Sequence, residues 1–415
     1  GTVADWQVPH ARPQDDGLRA DVTRLVLGLP DGRDLVVDSE HPPEGFGAPK
    51  DRRGHADRVD VGLPPGTQVF SADNHISLAE DIFYQNFPDD LKDQAPRIWY
   101  EDGAYLLGVA GKNLLPDNFS RVLMQYDDLA GASTSNIEAR VRELREDGVD
   151  KELAFPNALL ALFGHPDKAL RERCFRIYNQ YMAELQEGSN GHLYGVGLIN
   201  WWDPQGARRT LEELKSLGLK TFLMPLNPGL DDDGNVIDYA STAMTPVWDE
   251  IEGAGLPLSH HIGETPAKTP CELNGLLLSM MVHVDGFREL FSKYIFGGIL
   301  DRHPGLRMGW FEGGIAWVPT ALQDATHLAA SYRHMADYRL KHDIQYYWDT
   351  HMSAAFMVDP LGLELIDRIG LHKVFWSSDY PHNESTFGYS EKSLATVVQA
   401  VGPENAARIC SENIK

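Results

Sequence analysis

Four short segments of the 415-residue chain hold residue types that bind divalent cations: Asp73-Asn74-His75, His260-His261, Glu312 and Asp379. Imidazole nitrogen and carboxylate oxygen together suit zinc, manganese or iron, and without cysteine ligands a soft site is not expected. In Asp-x-His the outer residues share one face of an extended segment, because strand side chains alternate. Asp73 and His75 are therefore placed to grip one ion together. By the same rule His260 and His261 point in opposite directions, so only one faces a cation. His261 is assigned, because His261-Ile262-Gly263 leads straight into a loop, and His260 is left to packing. Taken singly, each has an ordinary structural reading: an Asp-x-His is often a strand end, and a terminal Asp often caps a helix. Their joint placement is what favours a metal.

That placement comes from the elements around them. Short apolar runs recur at 66–75, 148–157, 191–200, 219–227, 256–263, 306–314, 346–355 and 372–382. Helical stretches lie between them at 167–187, 204–217, 243–254, 317–335, 359–369 and 389–401. Eight such runs alternating with helices predict an α/β fold, a parallel (β/α)8 TIM barrel. In that architecture the strand ends that carry Asp73, His75, His261, Glu312 and Asp379 converge on one mouth. Residues 1–67 read as an N-terminal extension with a short hairpin around Pro30-Asp31-Gly32 and an arm. Residues 68–415 read as the barrel. An insertion over about 76–147, with a hairpin around Asp102-Gly103 in segment 98–109, is a candidate lid. The excursion at 271–304 contains LLLSMMVHV (276–284), read either as a pocket lining or as helix core or subunit interface. His382 is placed near the mouth, to orient substrate or donate a hydrogen bond. His351, read with Asp349 at the end of the seventh strand, is a further pocket candidate. His303, before the sixth strand, is expected to be structural.

Composition narrows the classes. A formal charge of −24 argues against nucleic acid, whose phosphates would be repelled. No apolar run is long enough to span a membrane, and the first residues lack a signal-peptide pattern. Three widely spaced cysteines, Cys174, Cys271 and Cys410, predict buried thiols rather than a disulfide framework, and a reducing cytoplasm. The expected partner is a small-molecule substrate.

The segments SADNH, LSHHIG, DRHPGLRMGWFEGGIAWVP and WSSDYPHNES resemble the amidohydrolase superfamily, in particular the branch named for aminocarboxymuconate semialdehyde decarboxylase. The resemblance covers about residues 68–410. It implies metal ligands at Asp73, His75, His261 and Asp379, with Asp379 also accepting a proton from metal-bound water. It implies no bridging carboxylated lysine, and Lys220 falls only at the start of the fourth strand. It also implies a homodimer. One departure stands out. Decarboxylases of this branch carry His-Gly-Gly at the sixth strand, where this chain has Glu312-Gly313-Gly314. An imidazole that protonates carbon is replaced by a carboxylate. Glu312 is then either a fifth ligand, enough with the others for two ions, or a base paired with His303 or Arg302.

The expected cofactor is one or two divalent ions per chain, iron or zinc, with manganese a further option. Such an ion lowers the pKa of water and polarises a carbonyl. The expected activity is hydrolysis: metal-activated water attacks an acyl carbon of a thioester, ester or amide, with Asp379, Glu312 and His382 as the catalytic set. Trp201, Trp202, Phe311, Trp376 and Tyr380, expected near the mouth, suggest an apolar substrate. The carboxylate-rich set also resembles di-iron thioesterases of this fold that act on diterpenoid acyl-CoA, although the chain shows no phosphate-binding glycine motif. The alternatives are a mononuclear non-oxidative decarboxylase and a non-catalytic barrel that serves as a binding protein.

Overall fold

The computed structural model describes residues 23–28, 34–39, 60–79, 81–101, 104–115, 136–263 and 275–415. The chain divides into two compact units, Gly1–Gly47 and Ala48–Lys415. In the first, β1 (Thr23–Gly28) pairs antiparallel with β2 (Asp34–Ser39). The Pro30-Asp31-Gly32 turn lies outside the described residues.

The second unit opens its main sheet with β3 (Phe70–Ile76). The insertion that follows contains a small antiparallel sheet of β4 (Arg97–Glu101), β5 (Ala104–Val109) and β6 (Lys112–Asn113). This is the hairpin expected at 98–109, although Asp102 and Gly103 are outside the described residues. The main sheet continues with β7 (Lys151–Pro156), β8 (Leu193–Leu198), β9 (Thr221–Leu223) and β10 (Leu258–His261). It ends with β11 (Met308–Phe311), β12 (Met352–Phe356) and β13 (Val374–Trp376). All eight strands are parallel and each pairs with its sequence neighbour. Main-chain bonds bring the two ends of the sheet together: Asp379 N–H donates to Asp73 O at 2.8 Å, and His75 N–H to Tyr380 O at 2.7 Å. The expected (β/α)8 barrel is the observed fold.

The strands are short and buried on both faces, as a sheet covered by helices requires. In β8, a side chain on Gly197 would overlap Leu214 of the helix Pro204–Ser216, its Cβ only 2.4 Å away, so glycine is what lets that helix pack closely. The helix Lys168–Gly188 buries Leu170, Cys174, Phe175, Tyr178 and Met182 along one stripe. Each large apolar side chain so buried contributes about 1.5–3 kcal/mol. Aspartates start the helices: Asp167 accepts from Leu170 N–H, and Asp203 from Gly206 N–H with Pro204 following it. Cys174 and Cys410 are buried free thiols; Cys271 is outside the described residues. Among the described residues no helix is long and apolar enough to cross a membrane.

One expectation fails at this level. Segment 346–355 is not one strand: Ile344–His351 is a helix, and only Met352–Phe356 is extended. Asp343 caps that helix through Tyr346 N–H, and Ile344, Tyr347, Trp348 and His351 are buried with helical spacing. His351 therefore sits where β12 begins, away from the mouth, and donates through Nδ1 to Leu306 O at 2.8 Å. Within 276–284, the helix Gly275–Val282 leaves Leu277 and Met281 65% and 78% exposed, which does not fit plain helix core.

Candidate metal centre

Three carboxylates and three imidazoles meet where β3, β10, β11 and β13 end. Asp73 and His75 both point into the mouth from β3, with His75 Nε2 3.6 Å from Asp73 Oδ1. An irregularity between Ser71 and Asn74 shifts the register against β7, with Asp73 inside it and His75 just after it. His261 follows from β10. Its Nδ1–H donates to Ile262 O at 2.7 Å, and its Nε2 faces Asp73 Oδ1 at 3.4 Å and Glu312 Oε2 at 3.1 Å. His260 turns the other way, donating to Met224 O and accepting from the Tyr294 hydroxyl. Asp379 Oδ1 lies 3.2 Å from His75 Nε2 and 3.2 Å from His382 Nδ1, and that same nitrogen is 3.2 Å from Glu312 Oε1.

Backbone strain marks two of these carboxylates. Glu312 and Asp379 have φ of +68° and +59°, the left-handed region that costs a non-glycine residue roughly 1–3 kcal/mol. The surroundings hold both in place. Asp359 Oδ2 accepts the N–H groups of Ile315 and Ala316 at 2.7 and 2.8 Å, pinning the loop after Glu312. A side chain at Gly313 would strike the Phe287 ring. Asp379 is held from β3: Ser378 N–H donates to Ser71 Oγ, and Tyr380 N–H to Asn74 Oδ1. Asn74 is fixed in turn by Glu152, which forms a buried ion pair with Arg140 at 2.7 Å.

Burial and mutual charge set the protonation states. Burial raises Asp73 to about 7, against the pull of His261. Burial opposes a charge on His261, yet Glu312 and Asp73 raise it to about 9. His382 is likewise raised well above the usual histidine value, despite burial, by Asp379 and Glu312. His75 is lowered by burial and by its neighbours His382 and His261, and so stays neutral as a metal ligand must. Glu384 is raised to about 7 by burial and by Asp379 and Glu312.

The donor set fits a divalent cation. Both oxygens of Asp73, both oxygens of Asp379, both nitrogens of His75 and Nε2 of His261 are buried and lack a well-aligned hydrogen bond, and those that face one another or Glu312 sit 3.1–3.6 Å apart. Each such group costs about 1–3 kcal/mol unless something complements it. The donors fall into two sets that share His75: Asp73, His75 and His261, and His75, Glu312, Asp379 and His382. Within each set, one atom per residue lies within 4.8 Å of the others.

All five residues expected as ligands are thus gathered at the mouth, and His382 joins them. Glu312 pairs with neither His303 nor Arg302. The expected aromatic wall is mostly core. Trp201 and Trp376 are fully buried and donate to Pro228 O and Ser393 Oγ, while the Tyr380 hydroxyl donates to Glu143. Phe311 does lie close: its ring is 5.0 Å from Phe155, which is itself 4.9 Å from the His261 ring. Phe155, Asn157, His283 and Glu384 were not foreseen. Asn157, 3.4 Å from His382 Nε2, follows directly on β7, so the strand-end rule applied to every polar residue would have found it. His283 lies between helices and gave no such signal.

An eight-stranded parallel barrel with this mixed histidine–carboxylate cluster at its strand ends defines a class, that of the metal-dependent barrel enzymes. Residues 115–415 match the family described as amidohydrolase, and the chain belongs to that family. Asp73 and His75 lie before the matched region. No curated protein matches the chain. Among solved structures, an amidohydrolase from Mycobacterium avium subsp. paratuberculosis K-10 superposes with a TM-score of 0.66 at 17% identity, covering 85% of this chain and 99% of its own. A 5-carboxyvanillate decarboxylase from Sphingomonas paucimobilis gives 0.60 at 16%, covering 84% and 98%. A dihydroxybenzoic acid decarboxylase from Polaromonas sp. JS666, with bound manganese and the inhibitor 2-nitroresorcinol, gives 0.59 at 14%, covering 84% and 96%. At these identities the likeness establishes the fold.

Proposed function

We propose that the mouth is a hydrolytic centre that cleaves an acyl compound with water, held by Asp73, His75, His261, Glu312 and Asp379 around one or two divalent ions. The observation that carries this reading is Glu312. Its two oxygens face His261 Nε2 and His382 Nδ1 at 3.1 and 3.2 Å, making it a third carboxylate between the two donor sets. A bound cation supplies Lewis acidity toward the acyl oxygen and makes water more acidic. Asp379, buried beside His75 and His382, accepts the proton of the attacking water and delivers it to the leaving group. Water's hydroxyl goes to the acyl carbon, and the leaving group departs with the proton. His382 bridges Glu312 and Asp379 and keeps both carboxylates oriented. Phe155 and Phe311 supply an apolar wall beside the donors.

The substrate class proposed first is a thioester of a sizeable apolar acid, a diterpenoid acyl-CoA being one form, followed by esters and amides. Iron, zinc and manganese are the ions to try. The test is a hydrolysis assay with metal-reconstituted protein in ¹⁸O-water: label in the carboxylate product is expected, and no turnover of any acyl substrate would overturn the reading.

Non-oxidative decarboxylation of a hydroxyaryl carboxylate is the second reading. It is supported by the names of two structural neighbours, one of them with manganese. Release of CO2 from such acids without acyl cleavage would select it.

A further inference from the structure

We propose that Asp249, Glu252 and His303 form a second divalent-cation site, at the end of the barrel opposite the mouth. Asp249 and Glu252 stand three residues apart on the helix Thr245–Ala254 and so share a face. His303 lies in the turn that leads into β11 and is 2% exposed. Its Nδ1 is 3.4 Å from Asp249 Oδ1 and 3.5 Å from Glu252 Oε2. One ligand atom from each of the three lies within 4.8 Å of the others.

Two further features point to an ion here. Neither ring nitrogen of His303 makes a hydrogen bond with a described residue, although both are buried. A buried imidazole left that way is costly, and a cation beside Nδ1 removes that nitrogen's share of the cost. Glu252 is already oriented: its Oε1 accepts Gly305 N–H at 2.5 Å, which leaves Oε2 turned toward His303. One imidazole and two carboxylates, with water completing the shell, suit zinc or manganese. Asp249 is 63% exposed, so the ion exchanges directly with solvent. It staples the helix Thr245–Ala254 to the turn before β11. Glu312 is at the other end of the same strand, so the two centres are separate and this site does not depend on the reading of the mouth.

The test is equilibrium dialysis against Zn²⁺ with elemental analysis, on the wild-type chain, Asp249→Asn, His303→Gln, and a His75→Ala/His261→Ala variant that lacks two of the mouth imidazoles. The wild type is expected to hold one more zinc per chain than Asp249→Asn or His303→Gln. The mouth variant is expected to keep one zinc, which adding Asp249→Asn removes or weakens at least tenfold. Asp249 is exposed, so that substitution keeps the test valid if His303→Gln does not fold; circular dichroism checks each variant. Equal zinc in wild type and Asp249→Asn, together with a zinc-free mouth variant, would overturn the site and leave an ion pair between His303 and the two carboxylates.

Discussion

At the residue scale, the centre depends on donors that have no other partner. His261 and Asp379 are each buried against the rest of the cluster, and the atoms that face it meet only its other members. His261→Ala and Asp379→Asn should lower kcat by about 10²-fold or more while leaving the far-ultraviolet circular dichroism unchanged, since a positioned acid or base is worth about 10²–10⁴. Retention of near-wild-type kcat by either variant would remove the proposed centre. Glu312→Gln keeps the size of the side chain but loses its charge. Metal content per chain should fall if Glu312 is a ligand; unchanged content with reduced activity would make it a positioning group for His261 and His382.

Most of the donor set was legible in the sequence because the donors lie in or just after the C-terminal halves of strands, and strand alternation separates His261 from His260. Asp379 was reachable by the same rule, although it sits three residues beyond β13, because the chain runs on along β3. His283 and Glu384 were not legible, since they enter from loops whose paths no local pattern fixes.

At the element scale, the loops that bear the carboxylates are held from outside the mouth. The Arg140–Glu152–Asn74 chain reaches from the helix Ile137–Glu146, through β7, to the residue between Asp73 and His75, and on to Tyr380 N–H. Arg140→Met removes one member of a fully buried ion pair and leaves Glu152 uncompensated, a change that costs about 3–5 kcal/mol. The expected result is a lower Tm and weakened metal binding at the mouth. In Arg140→Met/Glu152→Gln, where no buried charge is stranded, much of the Tm should return. Failure of the double variant to recover any stability would show that the network acts other than through charge pairing. Seven of the eight strands could be read from short apolar runs. The error at 346–355 arose because Tyr346, Tyr347 and Trp348 suit strands by type, whereas the burial of Ile344, Tyr347, Trp348 and His351 follows a helical period beginning at the Asp343 cap.

At the scale of the whole molecule, one carboxylate away from the centre ties stability to pH. Asp147 accepts Gly388 N–H at 2.8 Å and the Ser390 hydroxyl at 2.5 Å, and burial raises its pKa from 3.8 to about 7. The folded chain keeps that proton up to about pH 7, while the unfolded chain releases it near 3.8. The contribution is therefore complete below the unfolded value and is lost as pH rises toward 7, by at most about 1.4 kcal/mol per unit. Asp147→Asn has no proton to lose. The Tm difference between the variant and the wild type should move in favour of the variant between pH 4 and 7. Parallel curves over that range would show that Asp147 is ionised in the folded state.

The seam that closes the barrel has a consequence for synthesis. Asp73 and Asp379 face each other across it, and Tyr380 N–H bonds to a side chain 306 positions earlier in sequence. A ribosome-bound chain that has not yet released β13 has an open sheet edge on β3 and lacks Asp379 and His382. Pairings this distant form late, because the loop they close is long. Capture of a cation by both donor sets is thus a molecular receipt for a finished ring, and a chain stalled before residue 379 can offer only Asp73, His75, His261 and Glu312.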